Sequence, residues 1–148
     1  MKLEELTLYK VTKTLVTETY KMTRKFDRPY RTIANDMETQ VLHMSQYVYL
    51  ANKHKTDRIE WLDKYADALE SFKCDFDNAV SLKVQATNKR GALMIALRDA
   101  TENLVRWTKY EKRKYGSAVA ASENSVSKAV AEQVLREHGD EPVDDLPF

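Results

Sequence analysis

Apolar residues recur at steps of three and four along four long segments of the chain, a spacing that places them on one face of an α helix. The second segment shows the pattern most clearly, with a stripe formed by Ile33, Met37, Val41, Met44, Val48 and Ala51. The spacing predicts helices over residues 3–26, 29–53, 57–84 and 90–114. An antiparallel up-down-up-down four-helix bundle buries four such stripes most simply, so the predicted fold class is all-α.

Polar turns separate the four segments. Asp27 or Arg28 is the expected cap before Pro29, because a missing N–H costs nothing at the first helical position. Asp57 and Glu60 form the pattern of a capping box at the start of the third helix. A turn at residues 87–91 precedes the fourth helix, which Gly116 is expected to end. The predicted stripe of the third helix is Leu62, Ala66, Leu69, Phe76 and Val80, with Trp61, Tyr65 and Phe72 on one flank.

Charge divides the chain into two regions. Residues 1–115 hold 22 Lys and Arg against 16 Asp and Glu, whereas residues 116–148 hold 2 against 7. We therefore predict a basic four-helix bundle over residues 1–115 and an acidic C-terminal extension over residues 116–148. The spacing of Val126, Val130 and Val134 favours a short helix in the extension, followed by a disordered end.

The chain lacks the patterns of known catalytic sites. It has no Glu-x-x-His pair of the di-iron bundles, no glycine-rich phosphate loop, no Gly-x-Ser-x-Gly and no Cys-x-x-Cys. His43, His54 and His138 lie too far apart in the predicted bundle to converge on a metal, and Cys74 points away from the stripe of its helix. We expect a non-catalytic cytoplasmic protein without metal or cofactor, since the first residues are charged and no apolar run would span a membrane.

Two predicted helices carry basic residues opposite their apolar stripes. The first group is Lys10, Lys13, Lys21, Arg24, Lys25 and Arg28, and the second is Arg98, Arg106, Lys109 and Arg113. Because the first and fourth helices are neighbours in an up-down-up-down bundle, the two faces would join into one surface that contacts phosphates of a nucleic acid. The alternative is that these side chains only solvate the outside of the bundle. No base-reading module accompanies the charges, so binding would favour the backbone or the shape of the nucleic acid.

Apolar residues also lie off the stripes. We predict an intersubunit contact made by Leu42, Tyr49, Leu50, Trp61 and Tyr65, because aromatic anchors are favoured at interfaces. The alternative is that these apolar residues make no intersubunit contact and are scattered surface residues or part of a broad core.

The order of several core and polar residues resembles the bacterial four-helix bundle superfamily. The residues that carry the resemblance are Tyr9-Lys10, Tyr20, Thr23, Lys25, Phe26, Gln40, Ala51-Asn52-Lys53, Arg58, Leu62, Leu69-Glu70, Leu97, Leu104 and Trp107. This superfamily includes proteins encoded in intervening sequences of ribosomal RNA genes and the accessory variability determinant of diversity-generating retroelements. The second half of the chain is more similar to the retroelement branch, and the acidic extension lies outside the pattern.

The resemblance implies a homopentameric accessory scaffold, in a bacterium or a phage-infected host, that binds a reverse transcriptase and its template RNA or an RNA–DNA hybrid. The polymerase would carry out the mutagenic cDNA synthesis. The alternative is a protein–protein interaction bundle of the intervening-sequence type without an RNA role, a branch whose function the resemblance leaves open.

Overall fold

The regular secondary structure in the described part of the chain consists of helices alone. The computed structural model describes the backbone of residues 6–122 and the side chains of residues 6–114. Its α helices are α1 (Thr7–Thr23), α2 (Arg31–Lys53), α3 (Arg58–Ser81) and α4 (Gly91–Ser122), and two short 3₁₀ helices span Arg28–Tyr30 and Gln85–Asn88. The predicted all-α class and the four helices are thus confirmed. The chain divides into a first compact unit, Met1–Thr101, and a second, Glu102–Phe148, so that the division falls within α4.

The turn between α1 and α2 begins earlier than expected. α1 ends at Thr23, and Phe26 continues the chain in a tighter turn in which its N–H donates to the Thr23 carbonyl at 3.0 Å. Pro29 lies within the 3₁₀ helix Arg28–Tyr30 and not, as predicted, at the first position of the second long helix, since α2 begins at Arg31. Asp27 precedes the 3₁₀ helix without a side-chain capping bond. The guanidinium of Arg31 donates to the Thr23 carbonyl at 2.6 Å and satisfies one of the last carbonyl groups of α1.

The capping box predicted between α2 and α3 is wrong. Asp57 precedes α3, but its backbone (φ −104°, ψ 15°) is not the extended one of a capping residue, and its side chain makes no capping bond. The turn is stabilised instead by a side chain of α3 that bonds to the end of α2. Arg58 donates through Nε to the Ala51 carbonyl at 2.7 Å and through Nη2 to the Asn52 carbonyl at 3.2 Å. An arginine of α3 therefore caps the C-terminal end of α2.

Gly116 does not end the fourth helix. α4 continues to Ser122, so the prediction of a C-terminal boundary at this glycine is wrong. A glycine within a helix lowers its stability by only about 0.5–1 kcal/mol relative to alanine. The alanines at positions 118, 120 and 121 are strong helix formers and favour continuation of α4. The short helix predicted around Val126 and the acidic end of the chain lie outside the described residues.

The core of the first unit is built around α2, which packs against α1 and most extensively against α3. The α2 stripe is confirmed almost completely. The stripe residues without exposed surface are Met37, Val41, Met44, Val48 and Ala51. Only Ile33 is half-buried, and the adjacent Ala34 is buried instead.

α3 buries a face rotated from the predicted stripe. Tyr65 and Phe72, predicted for its flank, have no exposed surface, whereas Ala66 and Val80 are half-buried. Large aromatic side chains bury more apolar area than alanine or valine, so the helix is best oriented with its aromatic residues inward.

α1 contributes threonines to the core as well as the expected leucines. Thr12 and Thr19 are fully buried, while Val11 of the predicted stripe is only half-buried. The hydroxyl group of Thr12 donates to the Leu8 carbonyl at 2.6 Å, and that of Thr19 donates to the Leu15 carbonyl at 2.7 Å. Burial is tolerated because these hydroxyl groups are satisfied within the helix itself.

Candidate nucleic-acid interface

One face of α1 is exposed and basic. Leu8, Leu15 and Met22 face inward, so the opposite side of α1 projects into solvent. The predicted basic residues on α1 and in the following turn are all exposed: Lys10, Lys13, Lys21, Arg24, Lys25 and Arg28. Within α1 the only acidic residue is Glu18, which pairs with Lys21 at 3.4 Å. We call these six residues the α1 basic face.

The α1 basic face continues to one end of the first unit, where it meets the connection between α3 and α4. The 3₁₀ helix of that connection packs against α1. A cavity of about 370 Å³ lies there, lined by Lys25, Asp27, Gln85, Ala86, Asn88 and Lys89. Sequence reasoning missed Lys89, although the alternating direction of helices in a bundle places the first and third turns at the same end.

The connection between α3 and α4 brings further positive charge. Lys83 is exposed and adopts a left-handed backbone conformation (φ 59°) just after α3. Arg90 is half-buried and donates to the Thr87 carbonyl at 3.0 Å. Of the residues that line the cavity, Asp27 is the only acidic one, so the surroundings favour an anion.

The basic residues predicted for the fourth helix lie in both units. Arg98 belongs to the first unit and is exposed, with its guanidinium 3.6 Å from the carboxylate of Asp99. In the second unit Arg106 and Arg113 are exposed and Lys109 is half-buried. Arg106 also pairs with Glu102 at 3.8 Å. The predicted joining of the two basic faces stays a prediction.

The apolar residues predicted for an intersubunit contact fall in different places. Leu42 and Tyr49 are 41% and 47% exposed on α2, and Leu50 is half-buried. An open groove of about 420 Å³ is lined by Tyr9, Ser45, Gln46, Tyr49 and Leu50. Leu42, Tyr49 and Leu50 therefore stay candidates for a protein contact.

Trp61 is half-buried in a row of aromatic rings. Its ring centroid lies 6.1 Å from that of Tyr47 and 6.3 Å from that of His54, and the ammonium of Lys64 lies 4.4 Å from the indole centroid. His43 extends the row beyond Tyr47, with its ring centroid 5.9 Å away. These contacts cover part of the indole ring, and the intersubunit role of Trp61 stays a prediction.

Tyr65 was wrongly predicted as an interface residue. Its side chain has no exposed surface, and its hydroxyl lies 2.7 Å from Oγ1 of Thr12 on α1. Burial raises the pKa of this hydroxyl above the usual range of tyrosine. The residue is thus a structural link between α1 and α3, and it offers no surface to a partner.

A pair of carboxyl groups joins α2 to α3, and the sequence carried no signal for it. Oδ2 of Asp75 is buried and, among the described residues, finds no hydrogen-bond donor. Burial, followed by the interaction with the nearby carboxyl group of Asp36, raises the pKa of Asp75 to about 7. The neighbouring carboxylate of Asp36 therefore disfavours the ionised form of Asp75, since two carboxylates close together resist ionising together.

The remaining candidates for chemistry are few. Cys74 is exposed, as its helical position predicted. Within residues 6–114 no group of three or more His, Cys, Asp or Glu side chains is placed to hold a metal ion. His138 lies outside the described residues. None of the helices in the described part of the chain is both long and apolar enough for a membrane span.

Comparisons with protein-family models, with curated proteins and with solved structures find no match to this chain.

Proposed function

We propose that the chain is a non-catalytic accessory scaffold that binds template RNA beside a reverse transcriptase, as the resemblance to the retroelement proteins implies. The observation that carries the RNA part of the proposal is the α1 basic face and its continuation to Lys89. This surface is long, exposed and interrupted by few carboxylates. Phosphates of a nucleic-acid backbone are spaced regularly, so a row of lysines and arginines along a helix suits them.

The lysines on α1 are available for such contacts. Lys10 and Lys13 are exposed one turn apart, and the ammonium of Lys13 lies 5.6 Å from the ring centroid of Tyr9. A tyrosine ring beneath a lysine positions its charge without neutralising it. Surface pairs such as Lys21 with Glu18 are weak and are readily exchanged for a phosphate.

The RNA part is tested by measuring the anisotropy of a fluorescent single-stranded RNA over a range of salt concentrations. The test variant carries Lys10→Glu and Lys13→Glu together. The matched control carries Lys53→Glu and Lys55→Glu, which change the net charge equally at exposed positions at the end of α2 and in the turn that follows it. We expect the α1 variant to lose at least about tenfold in affinity, and its salt slope to fall by about 0.7 for each lost phosphate contact.

The control should retain the salt slope of the natural chain, and its affinity should stay within about threefold of the natural value. Equal losses in the two variants would show that only net charge matters, and absent or salt-insensitive binding would refute the RNA role. The polymerase part needs its own test: a reverse transcriptase encoded beside this protein should be retained by the purified chain after nuclease treatment.

The second candidate function is a protein–protein interaction bundle without an RNA role. It is favoured by the exposed Leu42 and Tyr49 and by the groove beside Tyr9 and Leu50. A partner recovered after nuclease treatment, lost on Leu42→Glu and unaffected by Lys10→Glu with Lys13→Glu, would support this function over the first.

The proposal also includes the arrangement of the assembly. The contacts of Tyr47 with Trp61 and of Asp36 with Asp75 support an antiparallel α2 and α3, as an up-down-up-down bundle requires. A cytoplasmic homopentamer is the assembly implied by the resemblance. Native mass spectrometry with and without RNA tests it, because a monomer under both conditions contradicts the retroelement branch.

A further inference from the structure

The cavity at the end of the α1 basic face combines three kinds of polar group. Lys25 and Lys89 supply ammonium groups, Asp27 supplies a carboxylate, and Gln85 and Asn88 supply amides. All five side chains are exposed. A plain solvating surface needs no such combination around one concave space, whereas a nucleotide presents the complementary phosphate, hydroxyl and base-edge groups.

Both walls of the cavity are anchored by buried residues. On the α1 side, Phe26 is 5% exposed and its N–H bonds to the Thr23 carbonyl at 3.0 Å. On the other side, Thr87 is 2% exposed and its hydroxyl donates to the Val84 carbonyl at 2.7 Å, while Arg90 bonds to the Thr87 carbonyl. The polar side chains therefore project from two fixed pieces of backbone, which lowers the entropy cost of binding a ligand.

We propose that this cavity binds one nucleotide of a single-stranded RNA and that Asp27 makes it prefer ribose to deoxyribose. Lys25 and Lys89 hold the phosphate, and the carboxylate of Asp27 accepts a hydrogen bond from the ribose 2′-hydroxyl. The amides of Gln85 and Asn88 both donate and accept hydrogen bonds, so they suit base edges. The inference rests on the proposed RNA binding and deepens it.

The size and the charge of the cavity agree with this assignment. Its volume of about 370 Å³ lies at the lower end of the range of small-molecule sites, about 300–1,000 Å³. A site for phosphate alone would gain nothing from a carboxylate in its lining. A carboxylate is useful where the ligand also offers a hydroxyl donor, and the 2′-hydroxyl is the group by which a protein distinguishes RNA from DNA.

The test compares labelled oligoadenylate with oligodeoxyadenylate of the same length, which differ only in the 2′-hydroxyl groups. The natural chain should bind the ribose form more tightly. Asp27→Asn should reduce the ratio of the two affinities by about three- to tenfold, because the amide oxygen of asparagine can still accept the hydrogen bond but lacks the charge that strengthens it. Asp57→Asn, an exposed carboxylate in the turn between α2 and α3, is the matched control and should leave the ratio unchanged.

A second pair of variants tests the phosphate contact. Lys89→Gln should weaken binding of both oligonucleotides by about three- to tenfold. Lys83→Gln removes the same charge from the same connection, but at a residue that does not line the cavity, and should have a much smaller effect.

The outcomes separate this inference from the proposed function. If Lys10→Glu with Lys13→Glu abolishes binding while Asp27→Asn leaves the ribose preference intact, the RNA role stands and the nucleotide site is refuted. Equal effects of Lys89→Gln and Lys83→Gln also refute the site. If the natural chain binds neither oligonucleotide, both proposals fail.

Discussion

The buried hydrogen bond between Thr12 and Tyr65 provides a quantitative test of how α1 and α3 are held together. The hydroxyl hydrogen of Thr12 is already donated to the Leu8 carbonyl at 2.6 Å, so Tyr65 is the donor in the 2.7 Å contact between the two hydroxyl groups. Both side chains have no exposed surface. Neither group has water available as an alternative partner.

Removing each partner has a different cost. Thr12→Val leaves the Tyr65 O–H buried and unpaired, which should lower the free energy of unfolding by about 1–3 kcal/mol. Tyr65→Phe leaves only an acceptor lone pair of Thr12 unpaired, and should cost about 0.5–1.5 kcal/mol. In the double variant no hydroxyl remains, so its loss should be smaller than the sum of the two single losses by about 1 kcal/mol.

Urea unfolding followed by circular dichroism at neutral pH measures these differences. Tyr49→Phe is the control, because this hydroxyl belongs to a half-exposed side chain of α2 and its removal should change stability by less than about 0.5 kcal/mol. Strictly additive losses would refute the hydrogen bond. If Tyr65→Phe changed the oligomeric state without lowering the free energy of unfolding, Tyr65 would be an interface residue after all, contrary to its burial.

Two further predictions concern pH and helix length. Because the pKa of Asp75 is raised in the folded state, the folded protein binds more protons than the unfolded chain between about pH 4 and pH 7, and stability should fall as pH rises through this window. Asp75→Asn should flatten that dependence in urea unfolding, whereas Asp77→Asn, at an exposed neighbour on α3, should preserve it. Parallel curves for all three proteins would contradict the raised pKa of Asp75. Gly116→Ala should increase helical circular dichroism and stabilise α4 by up to about 1 kcal/mol, and a loss of helicity would show that a helix boundary does lie at this residue.

Local patterns predicted the helices well and their ends less well. The α2 stripe was recovered almost residue by residue because it depends only on the period of a single helix. The boundary errors, which include the end of α1, the capping box at Asp57 and the stop at Gly116, concern ends of helices, where competing interactions of similar energy decide. Arg58, from the following helix, satisfies carbonyl groups of α2. The free-energy cost of a single glycine is small enough for α4 to continue through Gly116.

The candidate site was partly accessible from the sequence. The α1 basic face follows from the same period that places Leu8 and Leu15 in the core, so its exposure was predictable. Lys89 was not found, because it lies 64 positions after Lys25 in the chain and the two residues meet at one cavity only through the packing of two separate turns. The contact between Asp36 and Asp75 was missed for the same reason, since it depends on how α2 and α3 are aligned.

The sequence by itself determined that this protein is helical, where its four helices lie and which face of α1 is basic. These properties are set by the repeat of apolar residues at steps of three and four, a local quantity. Only the tertiary structure decided that Tyr65 is a core residue bonded to Thr12, that Asp36 and Asp75 meet, and that Lys25 and Lys89 line one cavity. Each of these depends on the rotation and alignment of whole helices, which the summed packing of many side chains decides.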